Sequence, residues 1–459
     1  MSEQRDWRAW AEENGIRSVR AETISLDGVA SGKYLSARKF LSGMASGWSF
    51  CDVAFGVDLS NEPQLGFDFG AWRGEMGDVF LRPDPDTVIV DPSLPGLGAV
   101  ICDLVDRDGS PLPVCARSAL REQVGRLARA GYTARAAIEV EATVFEESLQ
   151  EARAKRYRDL HPLGGGAGAL YVLGRTGDFT AFMDGVSRRL DETGIPWEGW
   201  CDESAAGQIE FNIPPMDPLR ATDTYNRVKL VMRQVASEQG HSVTFMAKWS
   251  PDLFGQGAHI NLSLLREGVN AFHHADDPAR PSRTMRHFVA GALDTMAAAT
   301  TFSFPTVNSY RRIQELNGPP TTVTWGVENK TTAIRAICRD AGQSRLEYRV
   351  PSADANLYLA FAAFLAGGLI GLERGNEPRP ALDVMAWSLP DGTDPIPPTL
   401  SRATDALARD TDLTGALGTD LVDYWIGTRR WEWLTFHTGG GDPDEGVSDW
   451  ELRRYFELV

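Results

Sequence analysis

Alternation of polar and apolar positions is the strongest pattern in this chain, and four segments carry it. In Arg345-Leu-Glu347-Tyr-Arg349, charged residues take every second place, with Leu346, Tyr348 and Val350 between and after them. A strand sends alternate side chains to opposite faces, so two guanidinium groups and a carboxylate share one face. Ala136-Ala-Ile-Glu139-Val-Glu141-Ala-Thr-Val places two carboxylates on one strand face in the same way. Gly255-Gln-Gly-Ala-His259-Ile-Asn261-Leu-Ser263-Leu aligns His259, Asn261 and Ser263, and Glu203-Ser-Ala-Ala-Gly-Gln-Ile-Glu210-Phe adds two more acids. Taken alone, the Arg345–Arg349 stretch reads equally well as a surface strand with an ion-pair ladder. All four segments are otherwise apolar, which predicts burial, and buried charges must pair or bind metal.

The remaining pattern predicts a change of texture along the chain. The first hundred residues read as short strands and turns. Val79 to Val90 is strand, turn, strand, and Ala99–Asp106 is a strand stopped by the cluster Arg107-Asp-Gly-Ser-Pro111. Ser118–Ala130 then shows helical periodicity through Leu120, Val124, Leu127 and Ala128, and Thr222–Glu238 does so through Val228, Val231, Met232 and Val235. The switch places a domain boundary near Leu112–Ala116. Leu357–Leu372 is apolar but shorter than a membrane span of about 20 residues, and it contains Gly367, Gly368 and Gly371. It predicts a buried core helix. The glycine clusters at 164–168 and 439–441 are not followed by Lys-Ser/Thr, so they predict loops rather than a phosphate loop.

Composition narrows the classes. A chain of 459 residues exceeds one ordinary core, so two domains are expected. A net charge of −17 argues against nucleic-acid binding. The five cysteines are odd in number and form no close pair, which predicts neither a disulfide frame nor a zinc site. With a polar, mixed-charge start and no membrane span, a reduced cytoplasmic setting is expected.

If the four strands line one cavity, five carboxylates (Glu139, Glu141, Glu203, Glu210, Glu347) and one imidazole, His259, converge there. Two carboxylates about 4 Å apart repel by roughly 4 kcal/mol at an effective dielectric of about 20, so five would not stay ionised together without cations. Oxygen-rich ligation with one imidazole suits Mg²⁺ or Mn²⁺ rather than zinc. Arginines beside such a site suit phosphate oxygens and carboxylates.

The ordered motifs then match a family. Glu139-Val-Glu141, Glu203…Gly207-Gln208…Glu210, Thr244-Phe-Met-Ala-Lys248 with Gly255-x-Gly-x-His259, Asn308-Ser-Tyr-Arg-Arg312, Asn329-Lys-Thr-Thr-Ala-Ile-Arg335, Glu347-x-Arg349 and Asp449-Trp-Glu451…Tyr455 run nearly the length of the chain. Together they resemble the glutamine synthetase superfamily, and within it the γ-glutamyl-amine ligases. The resemblance implies an α+β fold: a small N-terminal β-grasp domain, residues 1–113, and a large C-terminal catalytic domain, residues 114–459, with a curved antiparallel sheet. It implies two divalent ions per site, one on Glu141, Glu203 and Glu210 and one on Glu139, His259 and Glu347. Lys330, Arg335 and Arg345 would meet ATP phosphates, with Ser263 near the adenine. Arg312 and Arg349 would hold the acid substrate, with Gly255 lying against it through its backbone; Arg349, Arg312 and Lys330 are the expected catalytic side chains. The implied reaction is ATP-dependent amide formation through an acyl phosphate, in a cytoplasmic enzyme built as a double ring of ten or twelve subunits.

Departures from the family pattern bear on the nitrogen donor. Ammonia-using members carry an Asp-Gly-Ser-Ser loop, and the comparable stretch here is Phe67-Asp68-Phe-Gly-Ala-Trp72-Arg-Gly. Their flap glutamate is replaced by Gly318, the Asn before the substrate-site glycine by Phe254, and the second histidine of a His-x-His strand by Asn261. These changes favour an organic amine over ammonia as second substrate. An ammonia-using glutamine synthetase is the alternative, and a small-molecule kinase acting on a guanidino or amine nitrogen is the next. A silent regulatory or structural member is disfavoured, because an idle site need not keep buried charge.

Overall fold

Two sheets, drawn from separate stretches of sequence, organise the chain in a computed structural model that describes residues 5–65, 77–166, 168, 170–173, 177–314, 316, 318–388 and 392–459. The first comprises β1 (Ser18–Ile24), β2 (Ala30–Ser36), β3 (Trp48–Cys51), β4 (Asp78–Pro83), β5 (Ile89–Asp91) and β6 (Leu97–Val105). Its order is β2-β1-β6-β4-β3, with β5 paired to β6. β1 and β6 run parallel and the other pairs antiparallel. Two helices that the strand-and-turn reading omitted, Trp7–Glu13 and Ala37–Gly43, flank this sheet. Each spans seven residues, too few to show a helical period, yet Asp6 and Ser36 cap them through their side chains.

The second sheet comprises β7 (Thr133–Phe145), β8 (Gly199–Asp202), β9 (Gln208–Met216), β10 (Ser242–Thr244), β11 (Ile260–Arg266), β12 (Val269–Asn270), β13 (Trp325–Val327), β14 (Ile334–Ile337) and β15 (Arg345–Tyr348). Its order is β13-β14-β15-β11-β7-β9-β8, with β10 on β7 and β12 on β11. Pairing is antiparallel except between β13 and β14, which run parallel at one edge. The register matters most for function. Glu141 lies opposite Glu210, Glu347 lies opposite both Asn261 and Arg335, and Glu210 also faces Cys201. Directly opposed residues in an antiparallel pair share a face, so the register itself gathers the acids.

Helices cover the other face of this sheet. The one expected at Ser118–Ala130 spans Ala116–Arg129, and the one expected at Thr222–Glu238 spans Pro218–Gln239. The latter starts earlier because Asp217 caps it and Pro218 fits its first turn. The guanidinium of Arg117 binds Asp84, Asp103 and Asp223, tying the first sheet to the helices behind the second. All five cysteines are free.

The apolar segment folds as the helix Leu357–Arg374, capped by Asn356 and ended by the left-handed Gly375. It crosses the helix Arg283–Asp294 at glycines: a Cβ on Gly371 would stand 2.1 Å from the His287 carbonyl oxygen, and one on Gly291 2.2 Å from that of Gly367. Backbone meets backbone there, which explains the glycines of this segment. Phe364 on the same helix stacks on Tyr348 of β15, centroids 4.3 Å apart, so the helix braces the strand that carries Glu347. Gly371→Ala should therefore lower stability by about 3 kcal/mol through overpacking, read as a fall in the urea midpoint; an unchanged midpoint would mean that the crossing can spread without cost.

Candidate active site

Strand geometry brings every expected metal ligand to one place. β7 presents Glu139 and Glu141, β9 presents Glu210, and β15 presents Glu347. Glu203 follows the end of β8, and His259 precedes β11. All six line a single cavity of about 210 Å³, together with Gly255, Arg312, Lys330, Arg335 and Arg349. His259 Nδ1 lies 2.9 Å from Glu139 Oε2 and 3.7 Å from Glu347 Oε1. One ligand atom from each of Glu139, His259 and Glu347 falls within 4.8 Å of the others, a spacing that suits one hard divalent ion.

Electrostatics point the same way for Glu203 and Glu210. Burial, then the charge of Glu141, pushes the Glu203 carboxyl above its ordinary value. Burial, then Glu139 and Glu141, pushes Glu210 up as well. Burial opposes ionisation of Glu139 too, but His259, Asn261 and the charge of Arg349 hold it below the usual carboxylate range. Carboxylates that repel one another in a partly enclosed cavity are a donor set a divalent cation would relieve. The residues present therefore fit such an ion.

Close packing keeps the cage in shape. Glu141 Oε2 accepts from the Gly257 amide at 2.7 Å and from Gln208 Nε2 at 3.1 Å. A Cβ on Gly257 would lie 2.5 Å from Arg312 Nη2, 2.8 Å from His259 Nε2 and 3.2 Å from Glu141 Oε1, so only glycine lets these three groups approach. Gly255 is constrained likewise, with Arg312 Cγ at 2.7 Å from its hypothetical Cβ.

The arginines are placed less simply than the alternating pattern implied. Arg312 is buried, donates from Nη1 to the Val350 carbonyl at 3.0 Å, and keeps Nε without a partner among the described residues. Burial, partly offset by Glu141, pulls its pKa down to about 10. Arg335 Nη1 donates to Glu347 Oε2 at 3.0 Å, and Arg349 Nη1 pairs with the other oxygen of Glu347. An ion-pair ladder thus exists, but around a buried carboxylate rather than on a surface strand. Arg335 also binds Glu328. β15 ends at Tyr348, so Arg349 lies just past the strand. Lys330 is exposed at the rim.

Arg345 and Ser263 do not share this cavity. They line an adjoining cleft of about 730 Å³ whose apolar walls include Ile138, Ile213 and Leu265, and Glu139 borders both spaces. Ser263 Oγ donates to the Ser344 carbonyl at 3.0 Å. The cavity wall includes Phe254 and Gly318, singled out from sequence, and also Tyr171 and Pro319, which were not. Tyr171 lies among loop residues without periodicity, so no sequence signal marks it. The role of Gln208 in holding Glu141 also escaped the sequence, although its motif was visible. Asp68 and its loop lie outside the described residues.

A carboxylate cage beside a cleft large enough for a nucleotide, on a curved sheet backed by helices, is the setting of an ATP-dependent carbon–nitrogen ligase. Residues 113–455 match the glutamine synthetase catalytic domain, and the chain belongs to that family. It is 33% identical over 437 residues to the γ-glutamylethanolamide synthetase GlnA4 of Streptomyces coelicolor, across 95% of this chain and 91% of that one. It is 32% identical over 449 residues to type-1 glutamine synthetase 2 of Dictyostelium discoideum, across 96% and 84%. The solved GmaS/ADP complex superposes with a TM-score of 0.82 at 27% identity, covering 98% of each chain. The family generally uses ATP and a divalent metal.

Because Gly257 sets the distances among Arg312, His259 and Glu141, Gly257→Ala should weaken Mn²⁺ binding about 10- to 100-fold, the usual cost of disturbing ligand support. Titration of free Mn²⁺ by electron paramagnetic resonance checks this, with circular dichroism to verify the fold; wild-type affinity would show that the cage does not depend on this approach.

Proposed function

We propose that this chain joins the γ-carboxylate of glutamate, or of a close analogue, to an organic amine with hydrolysis of ATP to ADP and phosphate. The observation that carries the reading is that the acidic cavity and the larger cleft lie side by side, with Glu139 lining both. A nucleotide lying in the cleft would bring its terminal phosphate to the cage, whose wall includes the Arg312 guanidinium that would meet an acid substrate.

Glu141, Glu203 and Glu210 would hold one Mg²⁺ or Mn²⁺, and Glu139, His259 and Glu347 a second. When bound, such ions spread the charge that builds on the phosphoryl oxygens. The side chains of this protein do the rest by binding and orientation. Arg345, Arg335 and Lys330 meet ATP phosphates, and Ser263 lies toward the base. Arg312 and Arg349 grip the acid through the bidentate geometry of guanidinium, with the Gly255 backbone against it. A γ-carboxylate oxygen attacks the γ-phosphorus and the bond to the ADP oxygen breaks, leaving an acyl phosphate. The amine nitrogen then attacks the acyl carbon, phosphate departs with the original carboxylate oxygen, and the nitrogen loses a proton. Positioning supplies most of the rate, since phosphate is already a good leaving group.

Amine rather than ammonia is favoured by the cavity wall. Gly318, at the position of the family's flap glutamate, contributes no carboxylate and no bulk, and Phe254 offers an apolar surface, 38% exposed, beside Gly255. Similarity to a γ-glutamylethanolamide synthetase supports the same choice. This reading keeps the division into domains 1–113 and 114–459, a cytoplasmic setting and assembly into stacked rings.

With ATP, Mg²⁺ and glutamate, ADP release should be faster with at least one member of an organic amine panel than with ammonium at equal concentration; equal or faster turnover with ammonium would overturn the choice of amine. Glu203→Ala should abolish ADP release while leaving the particle size in sedimentation unchanged, and retained activity would discredit the assignment of the cage.

A further inference from the structure

The cage and the cleft are joined by one buried amide. Asn261 is 7% exposed and sits in β11 between β7 and β15, opposite Ala137 on one side and Glu347 on the other. Its Nδ2 donates to Glu139 Oε1 at 2.9 Å, while Glu139 Oε2 faces His259 Nδ1 at the same distance. Its Oδ1 accepts from Arg345 Nε at 2.9 Å, and Arg345 Nη1 donates to the Gln343 carbonyl at 3.1 Å. The result is an unbroken chain, His259–Glu139–Asn261–Arg345, from the cage into the cleft. An amide is suited to this task because it donates at one end and accepts at the other. Each hydrogen bond fixes the orientation of the next: with Oδ1 occupied by a guanidinium, Nδ2 has to face the carboxylate.

We propose that Asn261 is a positioning residue that couples the two spaces, so that Arg345, a side chain of the cleft with no hydrogen bond or ion pair to a cage ligand among the described residues, sets the cation affinity of the Glu139–His259–Glu347 site. The inference rests on the reading above that these three residues hold a divalent ion. It goes beyond that reading because it makes cation affinity depend on a guanidinium in the neighbouring space, and it fixes the sign of the effect. By charge alone, removing a guanidinium near a cation site relieves repulsion and tightens cation binding. Through the amide bridge, removing it frees Asn261 to turn, releases Glu139 Oε1, and loosens binding.

Nucleotide-free Mn²⁺ titration by electron paramagnetic resonance separates these cases, on wild type, Asn261→Leu, Arg345→Met and the double variant. Asn261→Leu should weaken one class of Mn²⁺ site about 10- to 100-fold, as loss of a ligand's orienting partner does. Arg345→Met should weaken the same site at least three-fold, and the double variant should be no weaker than Asn261→Leu alone, since the arginine acts through the amide. Arg345 stands at the wall of an open cleft, so its replacement leaves the core packing untouched and the Arg345→Met result stands by itself if Asn261→Leu does not fold. Tighter or unchanged Mn²⁺ binding by Arg345→Met, or additive losses in the double variant, would overturn the coupling. If wild type binds Mn²⁺ and Glu139→Gln loses it while Arg345→Met does not, the coupling fails and the cage stands; if wild type binds no Mn²⁺, the cage fails with it.

Discussion

Mutual repulsion among buried and half-buried carboxylates is the constraint on which the rest of this protein depends. Glu141 is set opposite Glu210 by strand register, and Glu139, Glu203 and Glu347 border the same cavity. At separations of about 4 Å each pair costs roughly 4 kcal/mol at an effective dielectric of about 20. Like charges directly across a sheet destabilise it, so the arrangement persists only because other groups offset it. His259 and Asn261 support Glu139, Gln208 and the Gly257 amide support Glu141, and Arg335 with Arg349 neutralises Glu347. The site is therefore a tension held in place by its surroundings, and a divalent ion suits it because it supplies the charge the acids lack.

Rigid backing makes such a tension sustainable. β7 pairs with β9, β10 and β11, and β15 is clamped between β11 and β14. The glycine-lined helix crossing behind the sheet brings Phe364 onto Tyr348, next to Glu347 in sequence. Further out, Arg454 bridges Asp58 and Glu432, and Arg117 bridges three aspartates, so the first sheet and the C-terminal helices are locked to the same frame. Rotation of one strand by a residue would turn its carboxylate away from the cavity, which is why the frame and the chemistry cannot be separated.

Much of this was legible in the sequence, for reasons that can be stated residue by residue. Period-two alternation marked β7, β11 and β15 because each carries polar groups on one face and core residues on the other. The helix at Leu357 was legible because its apolar run is too short for a membrane and too long for a strand. The short helices at Trp7 and Ala37 were not, since one or two turns leave no periodic trace. Nor was the separation of Arg345 from Arg349. Alternation gives both one face, but the strand ends at Tyr348 and the two guanidinium groups enter different spaces. Asn261 read as a lost histidine in sequence; only its two hydrogen bonds reveal a bridge. Tyr171 had no signal because it belongs to a loop.

Two sets of groups divide the labour in the resulting enzyme. In the proposed reaction the acids and His259 would face the phosphoryl group, while Phe254, Gly318 and Tyr171, which line the same cavity, would shape the room left for the nitrogen donor. The central claim is that a carboxylate is activated by phosphorylation before nitrogen attacks it. Glutamate labelled with oxygen-18 in its γ-carboxylate tests this most directly. Incubated with ATP, Mg²⁺ and an accepted amine, the enzyme should release inorganic phosphate carrying one labelled oxygen per amide formed, as read by mass spectrometry. Unlabelled phosphate alongside the product, or a stable phosphorylated amine in place of an amide, would contradict the account.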